Sequence, residues 1–466
     1  MNDLNNGKER ICIVGAGLVG SLLSIVLGQR GYQVDLIEKR CDMRKEDIPG
    51  GRTIAMSLSQ RGFKALEIVG LKDYIKQHTV PKTSRMVHLK DGSVQVQDYG
   101  RNGQAIHTIN RKFINSALLD KAEATGNVTT LFDSHCVQFD LDKLEVEILN
   151  KQTGKCHFRT YDRIIGADGV FSKVANEMAK QEGANFERFS PEYGYKELVI
   201  PTDSENNWKL NNNVVHVWPQ GHFNLVALPN TNKTFTCTLF LKLNGEISLN
   251  TLNDHKLIAN FFNKHFPDVS NLIPDYCEQF MENPVSKIYS LKCSPWHYRN
   301  KVLLIGDACH AIAPFFAMGM NVGFEDCSVF DGLMSKFDED LDVVFETFSR
   351  TRKVDTDAIA DMSLYNFTSL GNSDNSNYHV KWQINRMLWN KLNDDWMPLY
   401  PMIAFSDIPL AEVRRRSVLQ AYIVDKIIKE EHTIEMTDKW MDYIYAKYIR
   451  SEINGKQALS KDVLEA

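Results

Sequence analysis

The segment RICIVGAGLVGSLLSIVLGQRGYQVDLIEKR (residues 10–40) leaves few folds open to this chain. An apolar strand, Ile11–Val14, runs into Gly15, Gly17 and Gly20 in G-x-G-x-x-G spacing; a helix is expected over Leu18–Gln29, and a second apolar strand ends at Glu38, about 20 residues on. Each part has its own physical task. Gly15 permits a tight turn, Gly17 lets a pyrophosphate approach the backbone, and Gly20 lets the helix pack closely on the strand. A pyrophosphate placed there rests on a helix N-terminus, where free N–H groups and the dipole favour an anion. Glu38 is positioned to accept hydrogen bonds from a ribose. The unit predicts an α/β fold that binds a dinucleotide, and by itself it does not separate NAD from FAD.

Two later segments repeat the pattern of an apolar strand ending in a glycine–aspartate turn. YDRIIGADGVFSKVA (161–175) ends its strand at Gly166-Ala167-Asp168-Gly169. LLIGDACHAIAPFFAMGMNVGFED (303–326) is apolar enough to suggest a membrane span, but Asp307, His310, Pro314, Gly319 and Gly323 would leave polar groups and broken backbone in hydrocarbon. It reads better as a strand Val302–Ile305, a turn at Gly306-Asp307, a loop, and a helix beginning near Asn321. Ligands of such sheets sit beyond the carboxyl ends of the strands, so Asp168 and Asp307 are expected to face a bound molecule. A lone histidine after a strand, His310, is expected to be packed or backbone-bonded rather than a base or metal ligand.

Composition narrows the function classes. With 466 residues, two or more subdomains are expected. A net charge of −5 gives no reason to propose nucleic acid as a partner. The opening MNDLNNGKER lacks the apolar core of a signal peptide, and the closing INGKQALSKDVLEA carries no anchoring segment. Nine cysteines without C-x-x-C spacing argue against a disulfide framework and against a zinc site, so no metal is expected and the expected compartment is the cytoplasm. Arg414–Arg416 reads as a solvated helix face.

The ordered trio of glycine fingerprint, Asp168-Gly169 turn and Gly306-Asp307 turn resembles the flavoprotein aromatic hydroxylases. More narrowly, GRTIAMSLSQRGFKALEIVGL (51–71), SRMVHLKDG (84–92), VHVWPQGHFNLVALPNTNKTFTCTLF (215–240) and GDACHAIAPFFAMGMNVGFEDC (306–327) resemble the kynurenine 3-monooxygenase family, with looser similarity through MSLYNF and PLYPMIAFS. A plain NAD-dependent dehydrogenase would not need the Gly306-Asp307 segment.

That resemblance implies an α/β architecture with a discontinuous Rossmann-like FAD-binding domain (1–80, 100–190 and 290–345), an inserted antiparallel β-rich substrate domain (81–99 and 191–289) and a helical C-terminal region (346–466). It implies bound FAD, transient NADPH, dioxygen, and hydroxylation of L-kynurenine to 3-hydroxykynurenine through a flavin C4a-hydroperoxide, in a monomer or homodimer. By the same resemblance Asp307 accepts a hydrogen bond from the ribityl chain, Arg111 contacts the flavin and Arg52 lies near its ring. Gly319, Met320 and Asn321 lead into a helix N-terminus whose backbone N–H groups are expected to stabilise the reduced ring, and Pro314, Phe315 and Phe316 are expected to wall it from water. Arg85 and Tyr99 match the pair that grips the substrate carboxylate, with Asn366, Tyr400 and Phe316 beside them. The planar fork of an arginine suits that task, and a surface salt bridge is the other reading of Arg85.

At three places, four residues depart from the family pattern: Ala55 stands where an asparagine is usual, Ala317-Met318 where Gly-Gln is usual, and Ser369 where a glutamate is usual. All remove polarity or backbone freedom near the expected cavity. They leave open another arylamine or aromatic amino acid as substrate, or a flavin-binding protein that works as an oxidase or redox scaffold. If Ala317 takes positive φ it carries ~1 kcal/mol or more of strain, and Met318 is expected to set a thioether beside the flavin. Thr368–His379 reads as more loop-like than the helix expected there.

Overall fold

The computed structural model describes residues 8–45, 55–371, 376–431 and 434–450, with 367–371 and 376–377 described by backbone alone. Its first sheet has six strands in the order His297–Tyr298, Val302–Leu304, Arg163–Gly166, Arg10–Val14, Gln33–Ile37 and Val128–Leu131. All neighbours are parallel except the His297–Tyr298 edge. The inner strands read as unbroken apolar runs because both faces are covered: Ile11, Cys12, Ile13, Ile164, Ile165, Val302 and Leu303 are fully buried. The helix Leu18–Gln29 spans the residues expected of it, packed between the helices Arg111–Glu123 and Gly319–Lys336.

Strand order brings the three motifs together. Val14 pairs with Gly166, and Gly166 pairs with Leu304, so the carboxyl ends of three adjacent strands carry the Gly15–Gly17, Asp168-Gly169 and Gly306-Asp307 turns side by side. Gly15 has φ of +102°, and a Cβ there would lie 2.6 Å from the Ala167 carbonyl oxygen. At Gly20 a Cβ would lie 2.0 Å from the Gly15 oxygen, whereas at Gly17 it would meet nothing within 4 Å.

The second sheet has seven strands, in the order Ser286–Lys287, Tyr193–Ile200, Phe235–Lys242, Asn224–Pro229, Val214–Pro219, Ser84–His88 and Val94–Asp98. It is antiparallel except where Val214–Pro219 runs parallel to Ser84–His88, two strands drawn from distant parts of the chain. Helices His255–His265, Pro267–Leu272 and Tyr276–Glu282 cover one face, burying Phe261, Phe262, Phe266 and Phe280 against Leu225, Cys237 and Leu239. The other face looks toward the carboxyl ends of the first sheet.

The C-terminal region is helical, with Leu341–Gly371, Ser376–Leu392, Leu399–Phe405, Leu410–Glu430 and Asp438–Ile444. Two local expectations are corrected here. The helix Leu341–Gly371 runs into the stretch read as loop, and Ser376–Leu392 begins before its end, so only 372–375 of Thr368–His379 fall between helices, outside the described residues. The helix is already anchored before this stretch by Ile359 and Met362 in the core, and propagation of a formed helix continues through weak helix formers. The second expected helix begins at Gly319 rather than near Asn321. No helix among the described residues is long and apolar enough to cross a membrane.

The glycine geometry separates folding from ligand approach. Gly20→Ala should destabilise the ligand-free chain by ~2 kcal/mol or more, because backbone cannot yield to the new methyl, while Gly17→Ala should leave its thermal unfolding nearly unchanged. Thermal denaturation of the two variants checks this.

Candidate active site

A cavity of about 1630 Å³ lies between the two sheets and is roofed by the C-terminal helices. Gly15, Gly17, Glu38, Arg111, Asp168 and Asp307 line one end, and Arg85, Tyr99, Tyr400, Phe316 and Asn366 line the other. Pro314, Gly319 and Met320 lie on the same wall system, and Ala55 and Ala317 also line it. Gly20 does not; it serves the strand–helix contact instead. Arg52 lies outside the described residues.

At the first end, Glu38 Oε2 accepts from the Ala16 N–H at 3.1 Å, and Oε1 accepts from Arg40 N and Nε at 3.0 and 2.9 Å. The carboxylate is thereby fixed against the glycine turn. Asp168 Oδ2 accepts from the Lys173 N–H at 2.7 Å, but its Oδ1 is buried without a partner. Burial pushes the Asp168 carboxyl above its usual value. Asp307 opens into the cavity while the surrounding protein raises its carboxyl, with His310 and Arg111 pulling the other way. Arg111 begins its helix at the cavity edge and forms no ion pair among the described residues.

These residues fit an FAD. The orphaned Asp168 oxygen and the Asp307 carboxylate can accept from hydroxyls. The open side of Gly17 admits a pyrophosphate to a helix N-terminus, and Arg111 can balance the negative charge.

The Gly306-Asp307 turn is held by groups that sequence reasoning did not single out. Asp326, fully buried, accepts from Gly306 N–H at 3.1 Å and from His310 Nε2 at 2.5 Å through Oδ2, and from Arg352 Nε at 2.7 Å through Oδ1. Arg352 also donates to Glu325 at 2.6 Å and to the Val322 carbonyl at 3.2 Å. Arg61 pairs with Glu325 and donates to the carbonyls of Ile403 and Ile408 at 2.8 and 2.6 Å. Burial works against charge on Asp326, but His310 and Arg352 outweigh it and hold the carboxyl below its usual value. His310 is packed, as expected, with a carboxylate as its partner. An adjacent Glu325-Asp326 pair following the apolar run Val322–Phe324 was the available sign.

The helix Gly319–Lys336 points its N-terminus at the cavity with Gly319 and Met320 on the lining. Asn321 itself is not on the lining. Its side chain, fully buried, accepts from the Ser59 N–H at 2.7 Å and donates to the Ser57 carbonyl at 2.8 Å, so only its backbone belongs to the free first turn. Ala317 is left-handed, φ 56° and ψ 34°. Met318 is corrected. The reversal at Ala317 turns its thioether away from the cavity into a core with Phe316, Val322, Ile359 and Met402.

At the second end, Arg85 and Gln97 are directly opposite in the hairpin, and Arg85 Nε donates to Gln97 Oε1 at 2.8 Å. Its Nη2 donates to the Tyr378 hydroxyl at 2.6 Å. Arg85 has no carboxylate partner among the described residues and lies inside the cavity, so the surface salt bridge is overturned. Tyr99 and Tyr400 have ring centroids 4.9 Å apart, and burial raises both phenols. Asn366 donates to the Phe315 carbonyl at 3.0 Å, pinning the aromatic wall. Val215, Val217, Leu228 and Phe240 supply an apolar face between the two ends. The whole can seat a planar molecule with one carboxylate.

Comparison with known proteins agrees with this chemistry. A family model described as FAD binding domain matches residues 8–339. Kynurenine 3-monooxygenase of Flavobacterium johnsoniae is 38% identical over 421 residues, covering 90% of this chain and 94% of that one. Kynurenine 3-monooxygenase of Christiangramia forsetii is 37% identical over 426 residues, covering 91% and 94%. Among solved structures, the tetrameric form of 2-methyl-3-hydroxypyridine-5-carboxylic acid oxygenase shares the fold, with TM-score 0.63 and 21% identity over 86% of this chain and 97% of that one.

Two outcomes follow from the supporting groups. Asp326→Asn should cost ~3–5 kcal/mol near neutral pH, since it leaves buried cations without their anion. Because Asp326 titrates below the usual carboxylate value of ~3.9, its contribution is present above that pH and is lost as pH falls through the lowered value, so the gap between wild type and variant should narrow in acid unfolding curves. Ala317→Gly should stabilise by ~1 kcal/mol by releasing the left-handed alanine, and adding Met318→Gln should reverse the gain by burying an amide. Thermal unfolding of the single and double variants checks the second outcome.

Proposed function

The chain belongs to the FAD-binding kynurenine 3-monooxygenase family, and from that premise we propose that it converts L-kynurenine, NADPH, dioxygen and a proton to 3-hydroxykynurenine, NADP⁺ and water. The observation that carries the proposal is Arg85: a guanidinium with no carboxylate partner among the described residues, inside the cavity that continues to the dinucleotide end. Bound FAD supplies the ring that accepts hydride and activates oxygen.

The chain's residues do the binding, orienting and drying. Arg85 offers a planar pair of donors to the amino-acid carboxylate, with Gln97 holding the fork in plane. Tyr99 and Tyr400 border the same carboxylate, and Phe316, packed 6.2 Å from Tyr400, lies over the aromatic ring. The aniline nitrogen of kynurenine activates its own ortho carbon, so orientation and exclusion of water are the chief contributions. The N-terminus of the Gly319–Lys336 helix favours the negative charge of a reduced cofactor. Glu38, Asp168 and Asp307 take the hydroxyls of that cofactor, and Arg111 lies beside it.

The division into FAD-binding segments 1–80, 100–190 and 290–345, substrate segments 81–99 and 191–289, and helical region 346–466 is part of the same proposal. Its support is the assignment of strands to the two sheets. Of the three departures, Met318 has no face in the cavity and does not bear on substrate choice.

The test is NADPH consumption with and without L-kynurenine, together with product identity. Stimulated consumption with 3-hydroxykynurenine formed is expected; peroxide formation independent of L-kynurenine would overturn the proposal. Arg85→Met should weaken L-kynurenine binding by about one to two orders of magnitude, corresponding to ~1.5–3 kcal/mol for a charge-assisted contact, with flavin content unchanged. Equal loss of flavin would move Arg85 into the cofactor site.

A further inference from the structure

Arg85 is not held by its own sheet alone. The helix Ser376–Leu392 brings Tyr378 across the cavity, and the Tyr378 oxygen accepts from Arg85 Nη2 at 2.6 Å. A phenol that accepts one hydrogen bond still has its own proton to donate, and no acceptor for that proton stands among the described residues. The nearby phenols Tyr99 and Tyr400 belong to other elements. Tyr378 therefore presents an unspent donor beside an arginine that lacks an anion.

The helix is braced to keep it there. Arg386, two turns further along, donates to the Gly100 carbonyl at 2.9 Å and pairs with Asp98 at 3.3 Å, the two residues that flank Tyr99. From the other side Arg101 donates to the Trp389 carbonyl at 3.0 Å and stacks over the Trp389 ring at 4.3 Å. The position of Tyr378 is thus tied to the segment that carries Tyr99.

We propose that Tyr378 is a specificity-determining residue for the substrate's carboxylate. Its hydroxyl donates to the carboxylate oxygen held by Arg85, so that arginine and phenol together select a charged carboxylate over a neutral end group. This rests on the carboxylate role of Arg85. The pair forms one site from two distant parts of the chain: Arg85 supplies charge and a planar fork, and Tyr378 adds a directed donor and closes the site on the helical side. A neutral carboxamide has one acceptor oxygen and an NH2 group that faces donors, so it gains less from both residues.

The experiment compares L-kynurenine with L-kynurenine amide on the FAD-loaded full chain, reading dissociation constants from perturbation of the flavin absorbance, and turnover at saturating L-kynurenine. Tyr378→Phe, which keeps the ring and removes the hydroxyl, should weaken L-kynurenine binding about ten-fold and amide binding by no more than about two-fold, with saturated turnover changed little. Equal weakening of acid and amide, or weakening of neither, overturns the inference, because packing alone would not distinguish them. If the wild type itself binds acid and amide equally, the carboxylate role of Arg85 has failed. If the wild type and Tyr378→Phe discriminate alike while Arg85→Met does not, only the role of Tyr378 has failed.

Discussion

The Asp326 carboxylate is the point on which the geometry of this protein turns. It is fully buried, so its oxygens must find donors within the protein, and it takes them from three places: the N–H of Gly306, the imidazole of His310 and the guanidinium of Arg352. Each is on a different piece of the architecture, namely the end of a sheet strand, the short helix after it, and the long helix that opens the C-terminal region. Glu325 extends the hub through Arg61 to the carbonyls of Ile403 and Ile408, next to the segment that carries Tyr400. Buried ion pairs add little net stability over apolar packing, but they have few alternative arrangements that leave no charge unsatisfied. Here they join the Asp307 end and the Tyr400 end of one cavity through a single hydrogen-bonded network.

The cavity divides its charge by task. The carboxylates of Glu38, Asp168 and Asp307 border the dinucleotide end, where they are suited to accept from hydroxyls, while the open side of Gly17 at a helix N-terminus suits an anionic phosphate. The Arg85 guanidinium, set beside Tyr99 and Tyr400, is the group suited to holding an anion at the other end. Val215, Val217, Leu228 and Phe240 of the second sheet give the wall between them an apolar stretch. An arrangement of this kind orients a small zwitterion by one end only, which leaves its aromatic ring to be positioned by shape.

The departures at the loop before Gly319 sort themselves by backbone conformation. Ala317 adopts the left-handed conformation that glycine would take without cost, and that reversal sends Met318 into the core. Substitution of an amide by a thioether at 318 is then a change of packing rather than of the site. Ala55 pairs with Asn110 and lines the cavity, so its loss of polarity does bear on the site.

Residues 10–40 determined their own fold from local rules. The glycine spacing, the strand and helix lengths and the position of Glu38 are consequences of sterics and periodicity within thirty residues or so, and the structure follows them. The Gly-Asp turn after Val302–Leu304 and the placement of Asp307 facing a cavity were legible for the same reason. Arg85, Tyr99, Asn366 and Tyr400 were legible through resemblance alone, since nothing local brings them together. Only the tertiary structure decided that Val14, Gly166 and Leu304 lie side by side, that His310 and Arg352 meet on Asp326, that Met318 turns inward, and that Tyr378 reaches Arg85 from a helix whose first turn reads as a loop. Strand order and helix docking are set by burial summed over the whole chain, and a contact between residues hundreds of positions apart leaves no trace in the spacing of either one.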